Sequence, residues 1–163
     1  MNPVVIYSSK SGNTEKVALE ITQELNCDEI KISRETDFST ISIKDFDFVV
    51  IGTWVRGGEP SPDIISFLKQ LSFEDCNRQF ALFMTWAGGG ISDALTFKRV
   101  KQILEAKNQR LLDDYFKCLG KTFGFVRRGH PDPKDLADAR KWARTLIKNS
   151  TSSTKIQDQR DAK

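Results

Sequence analysis

Hydroxyl side chains and a glycine cluster near the start of the chain, in the stretch Ser9-Lys10-Ser11-Gly12-Asn13-Thr14. An apolar run, Pro3 to Tyr7, ends just before this stretch, and residues with helical spacing follow it. A strand, a hydroxyl-rich turn and a helix start in this order make an anion site, because the first amides of a helix have no intrahelical partner. The sequence therefore predicts an anion-binding turn. A helix capped by Ser or Thr, with no ligand, is the alternative.

Two tryptophans follow apolar runs farther along the chain. Phe46 to Ile51 leads to Gly52-Thr53-Trp54, and Phe80 to Met84 leads to Thr85-Trp86. Two tryptophans at one edge of a sheet suit a flat aromatic body held by stacking and apolar burial. Together with the anion-binding turn, they indicate a ligand with a phosphate and a planar ring system. A Trp86 buried in the core is the alternative reading of the second tryptophan.

Strand and helix signals alternate along the chain. Helical spacing of apolar residues predicts four helices, of which the second has Ser61 as N-cap and Pro62 at its first position. This alternation predicts an α/β fold with a doubly wound, five-stranded parallel sheet and helices on both faces, which binds ligands beyond the carboxyl ends of its strands. The predicted strands are Val4 to Tyr7, Glu29 to Ile32, Phe46 to Ile51, Phe80 to Met84, and Tyr115 to Leu119.

Composition excludes several other classes of protein. The chain has 163 residues and a net charge of +3, without a basic stripe interleaved with aromatics, so nucleic acid is not an expected partner. No apolar run reaches membrane-spanning length. The cysteines Cys27, Cys76 and Cys118 form no CxxC pair, which fits a reducing compartment, and we expect a cytoplasmic protein. Residues 1–148 are predicted to form one domain, and 149–163, which lack apolar periodicity, a disordered tail.

The first turn resembles the phosphate-binding loop of the flavodoxins, which hold flavin mononucleotide (FMN). Gly52-Thr53-Trp54 resembles the flavodoxin segment whose tryptophan often lies against the isoalloxazine ring. The resemblance covers roughly residues 1–148 and implies strand order 2-1-3-4-5 with FMN as cofactor. It assigns FMN binding to Ser9, Lys10, Ser11, Gly12, Asn13, Thr14, Thr53, Trp54, Val55, Arg56, Gly57, Thr85, Trp86, Ala87, Gly88 and Gly89.

Other doubly wound families fail on specific residues. A P-loop needs a Lys-Ser/Thr pair after its glycine, and a dinucleotide site needs G-x-G-x-x-G, neither of which the first turn contains. A response-regulator receiver would carry acidic residues where this chain has Ser8 and Ser9. A low-molecular-weight phosphatase would carry a cysteine and an arginine in its first loop.

The sequence also departs from the flavodoxin pattern near the expected ring. Electron-carrier flavodoxins usually place acidic residues there, whereas Arg56 follows Trp54 by two positions. If Arg56 faces the flavin, it should stabilise the anionic reduced form and raise the potential; an arginine extended into water is the alternative. The loop after the fourth strand lacks the usual Asp and Tyr, so Trp86 is a candidate for the outer stacking face, and the amides of Gly88 to Gly90 for the pyrimidine edge.

Two functions remain open at this stage. The first is an FMN-binding electron carrier whose partners are a reductase and an acceptor enzyme. The second is an FMN-dependent reductase or oxidase that acts directly on a small planar substrate, such as a quinone or a tetrapyrrole. No catalytic side chains and no metal site are expected, since the chain has one histidine, His130, and shows no Ser-His-acid set.

Overall fold

The computed structural model describes residues 1–72, 78–120 and 129–161, with side chains described as far as residue 148. A central parallel sheet lies between helices, and a 3₁₀ turn covers Phe38–Thr40. In chain order the elements are β1 (Pro3–Ser8), α1 (Asn13–Leu25), β2 (Asp28–Ile32), β3 (Phe48–Arg56), β4 (Glu59–Pro60), α2 (Pro62–Gln70), β5 (Gln79–Trp86), α3 (Ser92–Glu105), β6 (Arg110–Leu119) and α4 (Pro133–Asp161).

The long strands follow the order β2-β1-β3-β5-β6, and each neighbouring pair is parallel. Strand β4 has two residues and pairs with β3 in the antiparallel direction. When β4 is left out and the five long strands are numbered in chain order, their order is the predicted 2-1-3-4-5. The doubly wound α/β fold and its strand order are therefore confirmed.

Two apolar layers hold the helices against the sheet. Successive residues of a strand face opposite sides, so Val4 and Ile6 pack under α2 and α3, whereas Val5 and Tyr7 pack under α1 and α4. These four side chains are at most 1% exposed. Burial on both faces explains why the inner strands read as continuous apolar runs.

Strand β3 runs on to Arg56, beyond the predicted end at Ile51. A hairpin causes the extension, because Val55 and Arg56 pair with β4. Gly57 and Gly58 form its two-residue turn, both with positive φ (62° and 83°), as the favoured hairpin turns require. The residues that follow the predicted strand end therefore belong to a hairpin.

Strand β6 is longer than predicted, since it begins at Arg110 and not at Tyr115. The prediction missed its first half because exposed polar residues of this edge strand interrupt the apolar run. Helix α4 continues to Asp161 and so includes the backbone of residues 149–161. Disorder of the tail stays a prediction. That segment has no apolar periodicity from which a helix could be inferred. The division of the chain at residue 148 stays a prediction. Within the described residues, no helix is long and apolar enough to cross a membrane.

Candidate functional site

The first turn lies between β1 and α1, at the carboxyl edge of the sheet. Gly12 precedes the helix in the left-handed conformation, with φ of 81°, and makes no side-chain capping bond among the described residues. A Cβ atom at Gly12 would meet nothing within 4 Å. The glycine is thus required by the backbone angle, and it leaves open space beside the helix start, where the macrodipole favours an anion.

The serine hydroxyls of this turn are held in place by protein donors. Ser9 Oγ accepts a hydrogen bond from the backbone N–H of Glu15 (3.2 Å), and Ser11 Oγ accepts one from Asn13 Nδ2 (3.2 Å). A hydroxyl that accepts through a lone pair still has its own proton to donate. Both serines are therefore oriented donors for an anion at the start of α1.

Thr14 faces inward instead of toward the turn. Its side chain is 1% exposed, and its hydroxyl lies 2.9 Å from that of Thr85, at the end of β5. This contact ties the first turn of α1 to the neighbouring strand end. A role for the Thr14 hydroxyl toward an anion stays a prediction.

A cleft of about 510 Å³ opens beside the first turn; we call it the first cleft. It brings residues of all three strand-end segments together. Its described lining residues are Lys10, Ser11, Asn13, Trp54, Val55, Arg56, Thr85, Trp86, Ala87 and Gly120. All but Gly120 are among the predicted binding residues.

The other predicted residues lie around this cleft without lining it. Ser9 lines an adjoining hollow, which we call the second cleft; Lys10, Arg34, Trp54, Arg56 and Asp63 also line it. Thr53 is fully buried; its hydroxyl accepts from the backbone N–H of Ser61 (2.8 Å) and donates to the carbonyl of Trp54 (3.0 Å), which fixes the hairpin against α2. Gly12, Thr14, Gly57, Gly88 and Gly89 line neither cleft.

Gly120 was not singled out by the sequence, which offers only a lone glycine after the last strand. Its backbone N–H donates to the carbonyl of Trp86 (2.9 Å). A Cβ atom at this position would lie 2.9 Å from Asn13 Nδ2, closer than atoms tolerate. Only glycine fits here without displacing Asn13, which itself holds Ser11.

Both tryptophans form walls of the first cleft. Trp54 is paired with Thr85 in the strand register, so Trp54 and Trp86 leave the sheet on opposite faces. Each is half-buried. The indole N–H of Trp54 is buried and has no hydrogen-bond acceptor among the described residues. A buried donor without an acceptor costs free energy, which an acceptor on a bound ligand would offset.

An ion pair supports Trp86. The Lys117 ammonium lies over the Trp86 ring, 5.0 Å from its centroid, and pairs with Asp93, whose side chain is 8% exposed. The hydroxyl of Tyr115 also donates to Asp93 (3.1 Å). The hydrogen bond from Lys117 lowers the pKa of Asp93, and the same bond raises the pKa of Lys117. Lys117 does not line the first cleft, so its ammonium contacts the Trp86 ring from outside the cleft.

Known proteins share this arrangement of elements. The model of the flavodoxin domain family matches residues 4–127, which is most of the chain. The chain belongs to the flavodoxin domain family. This flavodoxin-family chain is 29% identical over 157 residues to an uncharacterized protein of Methanocaldococcus jannaschii, covering 91% of this chain and 100% of that protein.

Solved structures resemble the same fold. Oxidised flavodoxin 2 of Bacillus cereus matches with a TM-score of 0.71 at 16% identity, over 91% of this chain and 99% of that one. A Lactobacillus acidophilus flavoprotein in complex with FMN matches with a TM-score of 0.54 at 20% identity, over 71% and 91% of the two chains.

The described residues of this flavodoxin-family site fit a phosphate joined to a planar ring. Ser11 offers an oriented donor in the first cleft, Ser9 offers one in the adjoining hollow, and the indole N–H of Trp54 lacks an acceptor among the described residues. The volume of the first cleft lies within the range of small-molecule sites, roughly 300–1,000 Å³. FMN therefore suits the chemistry that the first cleft presents.

A separate polar cluster lies at the start of α4. His130 Nδ1 is 2.6 Å from Asp135 Oδ2, while Asp132 and Asp135 exchange bonds with each other's backbone N–H groups. That exchange is the reciprocal pattern of a helix capping box. Asp132 and Asp135 are thus explained by the helix start, and His130 contacts the same Asp135 carboxylate.

Proposed function

We propose that this protein binds FMN in the first cleft and passes electrons between a reductase and an acceptor enzyme. One observation carries the proposal: Ser11 and Asn13, from the anion-binding turn, line the same cleft as Trp54 and Trp86. A ligand with a phosphate and a flat ring would contact both sets at once. Membership of the flavodoxin domain family, and the structural likeness to a flavoprotein in complex with FMN, support the same cofactor.

The bound flavin would supply the redox chemistry, taking up and releasing one electron at a time. The protein's own residues then bind, orient and exclude water. Among the described residues that line the first cleft there is no histidine, cysteine, aspartate or glutamate. This described lining favours simple electron transfer over chemistry in which a carboxylate, an imidazole or a thiol moves a proton.

Direct reduction of a small planar substrate is the second candidate. The second cleft favours it, because this hollow of about 470 Å³ shares the wall residue Trp54 with the first cleft. A small molecule bound there would lie close to the flavin site without a partner protein. The chemically reduced protein distinguishes the two functions: an enzyme would turn over a quinone alone, whereas a carrier would need a partner.

FMN and riboflavin titrations test the proposal. Riboflavin lacks the phosphate, so the serine donors should matter for FMN alone. We expect FMN fluorescence to be quenched on binding, and Ser11→Ala to weaken FMN binding by about tenfold, as loss of a bond to a charged group predicts. Riboflavin binding should not change. A purified protein that is colourless and leaves FMN fluorescence unquenched would refute FMN binding.

A further inference from the structure

The second cleft adjoins the first one and shares Trp54 with it. Strand end β2, the first turn and the β3–β4 hairpin surround it, and its volume is about 470 Å³. It shares Lys10, Trp54 and Arg56 with the first cleft, but Arg34 and Asp63 line only this one. Trp54 thus lines two hollows of similar size, of which only the first is the proposed FMN site.

Three cations line the second cleft: Lys10, Arg34 and Arg56. All three are exposed, and none has an ion-pair or hydrogen-bond partner among the described residues. Two carboxylates also line the cleft: Glu59 pairs with Arg99 (3.7 Å), whereas Asp63 accepts from the neutral Ser8 hydroxyl (2.7 Å) and keeps its charge. Three cations against two carboxylates leave the described lining net positive.

Apolar groups supply the rest of the walls. Ile32 is buried at the end of β2, Pro60 and Pro62 flank the hairpin and α2, and Trp54 adds an aromatic ring. A hollow of this volume, with a ring and aliphatic walls, fits a small organic molecule better than the flat surface of a protein. We propose that the second cleft binds a flat organic anion that carries carboxylate or sulfonate groups.

Of the three cations, Arg34 is the one that lines the second cleft but not the first. It lies in a turn fixed by Ser33 and Thr36: the Ser33 N–H donates to Thr36 Oγ1 (2.9 Å), and the Thr36 N–H donates to the Ser33 carbonyl (3.1 Å). The turn places Arg34 beside the cleft without using its guanidinium. A guanidinium has the planar donor geometry that matches a carboxylate.

Isothermal titration with naphthalene-2,6-dicarboxylate, an inert flat dianion, tests the proposal, and its neutral dicarboxamide serves as the comparison. We expect the dicarboxylate to bind more tightly than the dicarboxamide, and its affinity to fall as salt is added. Arg34→Gln should weaken dicarboxylate binding by about tenfold, and Arg34→Lys by less. Arg110→Gln is the matched control: Arg110 is also exposed but lies at the start of β6, at the opposite edge of the sheet, and should leave binding unchanged.

Titration with and without saturating FMN separates the two clefts. We expect the dicarboxylate to bind in both cases, and Arg34→Gln to leave FMN affinity unchanged. No binding of the dicarboxylate, equal binding of the dicarboxamide, equal effects of Arg34→Gln and Arg110→Gln, or displacement by FMN would each overturn the proposal. Binding of the dicarboxylate in the second cleft does not require FMN. A protein that binds the dicarboxylate but not FMN would therefore refute the proposed function alone.

Discussion

The hydroxyls of Thr14 and Thr85 lie 2.9 Å apart in a buried contact, although the two residues are 71 positions apart in the sequence. Thr14 belongs to the first turn of α1, and Thr85 to the carboxyl end of β5. One hydroxyl must donate and the other accept. The contact therefore fixes the anion-binding turn relative to the strand that carries Trp86.

Removal of both hydroxyls should cost less than the sum of the two single removals. Thr14→Val leaves Thr85 without this partner in a buried place, and we expect a loss of about 1–2 kcal/mol in the free energy of unfolding, measured in urea. Thr85→Val should cost about the same. In Thr14→Val/Thr85→Val both polar groups are gone, so the double variant should lose less than the sum of the two. Additive losses would show that the hydroxyls do not interact.

The Asp93–Lys117 pair should make stability depend on pH in the acid range. The hydrogen bond from Lys117 lowers the pKa of Asp93. In acid the folded protein therefore binds fewer protons than the unfolded chain, whose aspartates have a pKa of about 3.9. The stabilisation is complete above that value and is lost as pH falls through the lower, folded pKa. Lys117 has the opposite sign: its pKa is raised, so its contribution persists until pH rises through the folded pKa.

Urea unfolding of the wild type and Asp93→Asn across pH 2 to 7 measures this effect. We expect the difference in stability between the two proteins to be largest at neutral pH and to shrink in acid. Asp113→Asn is the control, because Asp113 also pairs with a lysine but its side chain is 81% exposed. A constant gap between wild type and Asp93→Asn would contradict a role for the ionised Asp93 carboxylate.

The sheet was predictable because its inner strands are buried on both faces and read as apolar runs. Period and length were enough for β1, the start of β3 and most of β5. The β3–β4 hairpin was missed although Gly57-Gly58 is a local hairpin signal, because β4 has only two residues and shows no apolar alternation of its own. Edge strand β6 was shortened in the prediction because four of its ten residues are exposed and charged.

The candidate site was predictable to a similar degree and for a related reason. Parallel strands bring their carboxyl ends to one edge, so Ser11, Trp54 and Trp86 had to come close together. The direction of a side chain does not follow from that rule. Burial of Thr53, the inward turn of Thr14 and the contact of Gly120 with Asn13 depend on packing between segments far apart in sequence.

Gly120→Ala should weaken FMN binding through Asn13. The added methyl group would lie within contact distance of Asn13 Nδ2, which holds the Ser11 hydroxyl. We expect FMN affinity to fall by about tenfold, as for loss of a bond to a charged group, with a smaller effect on riboflavin. Gly129→Ala is the control in the flavin titration, because a Cβ atom there meets nothing within 4 Å and Gly129 lines neither cleft. Equal losses for FMN and riboflavin would contradict a path through the phosphate donors.

Arg56→Ala tests the cation beside the candidate flavin site. Arg56 is exposed, lines both clefts and has no ion-pair partner among the described residues. A positive charge there should favour the anionic reduced flavin, so its removal should lower the potential at which that form appears. Because the side chain is solvated, we expect a shift of a few tens of millivolts, which corresponds to on the order of 1 kcal/mol, and a smaller shift at high salt.

The potentials are measured by reductive titration of the FMN-loaded protein at low and high ionic strength. Arg110→Ala is the control for net charge, since it removes one positive charge at the opposite edge of the sheet. If Arg56 acts locally, its removal should shift the potential well beyond the change caused by Arg110→Ala. Equal shifts would mean that only net charge matters, and an unchanged potential would place the Arg56 guanidinium in water, away from the ring.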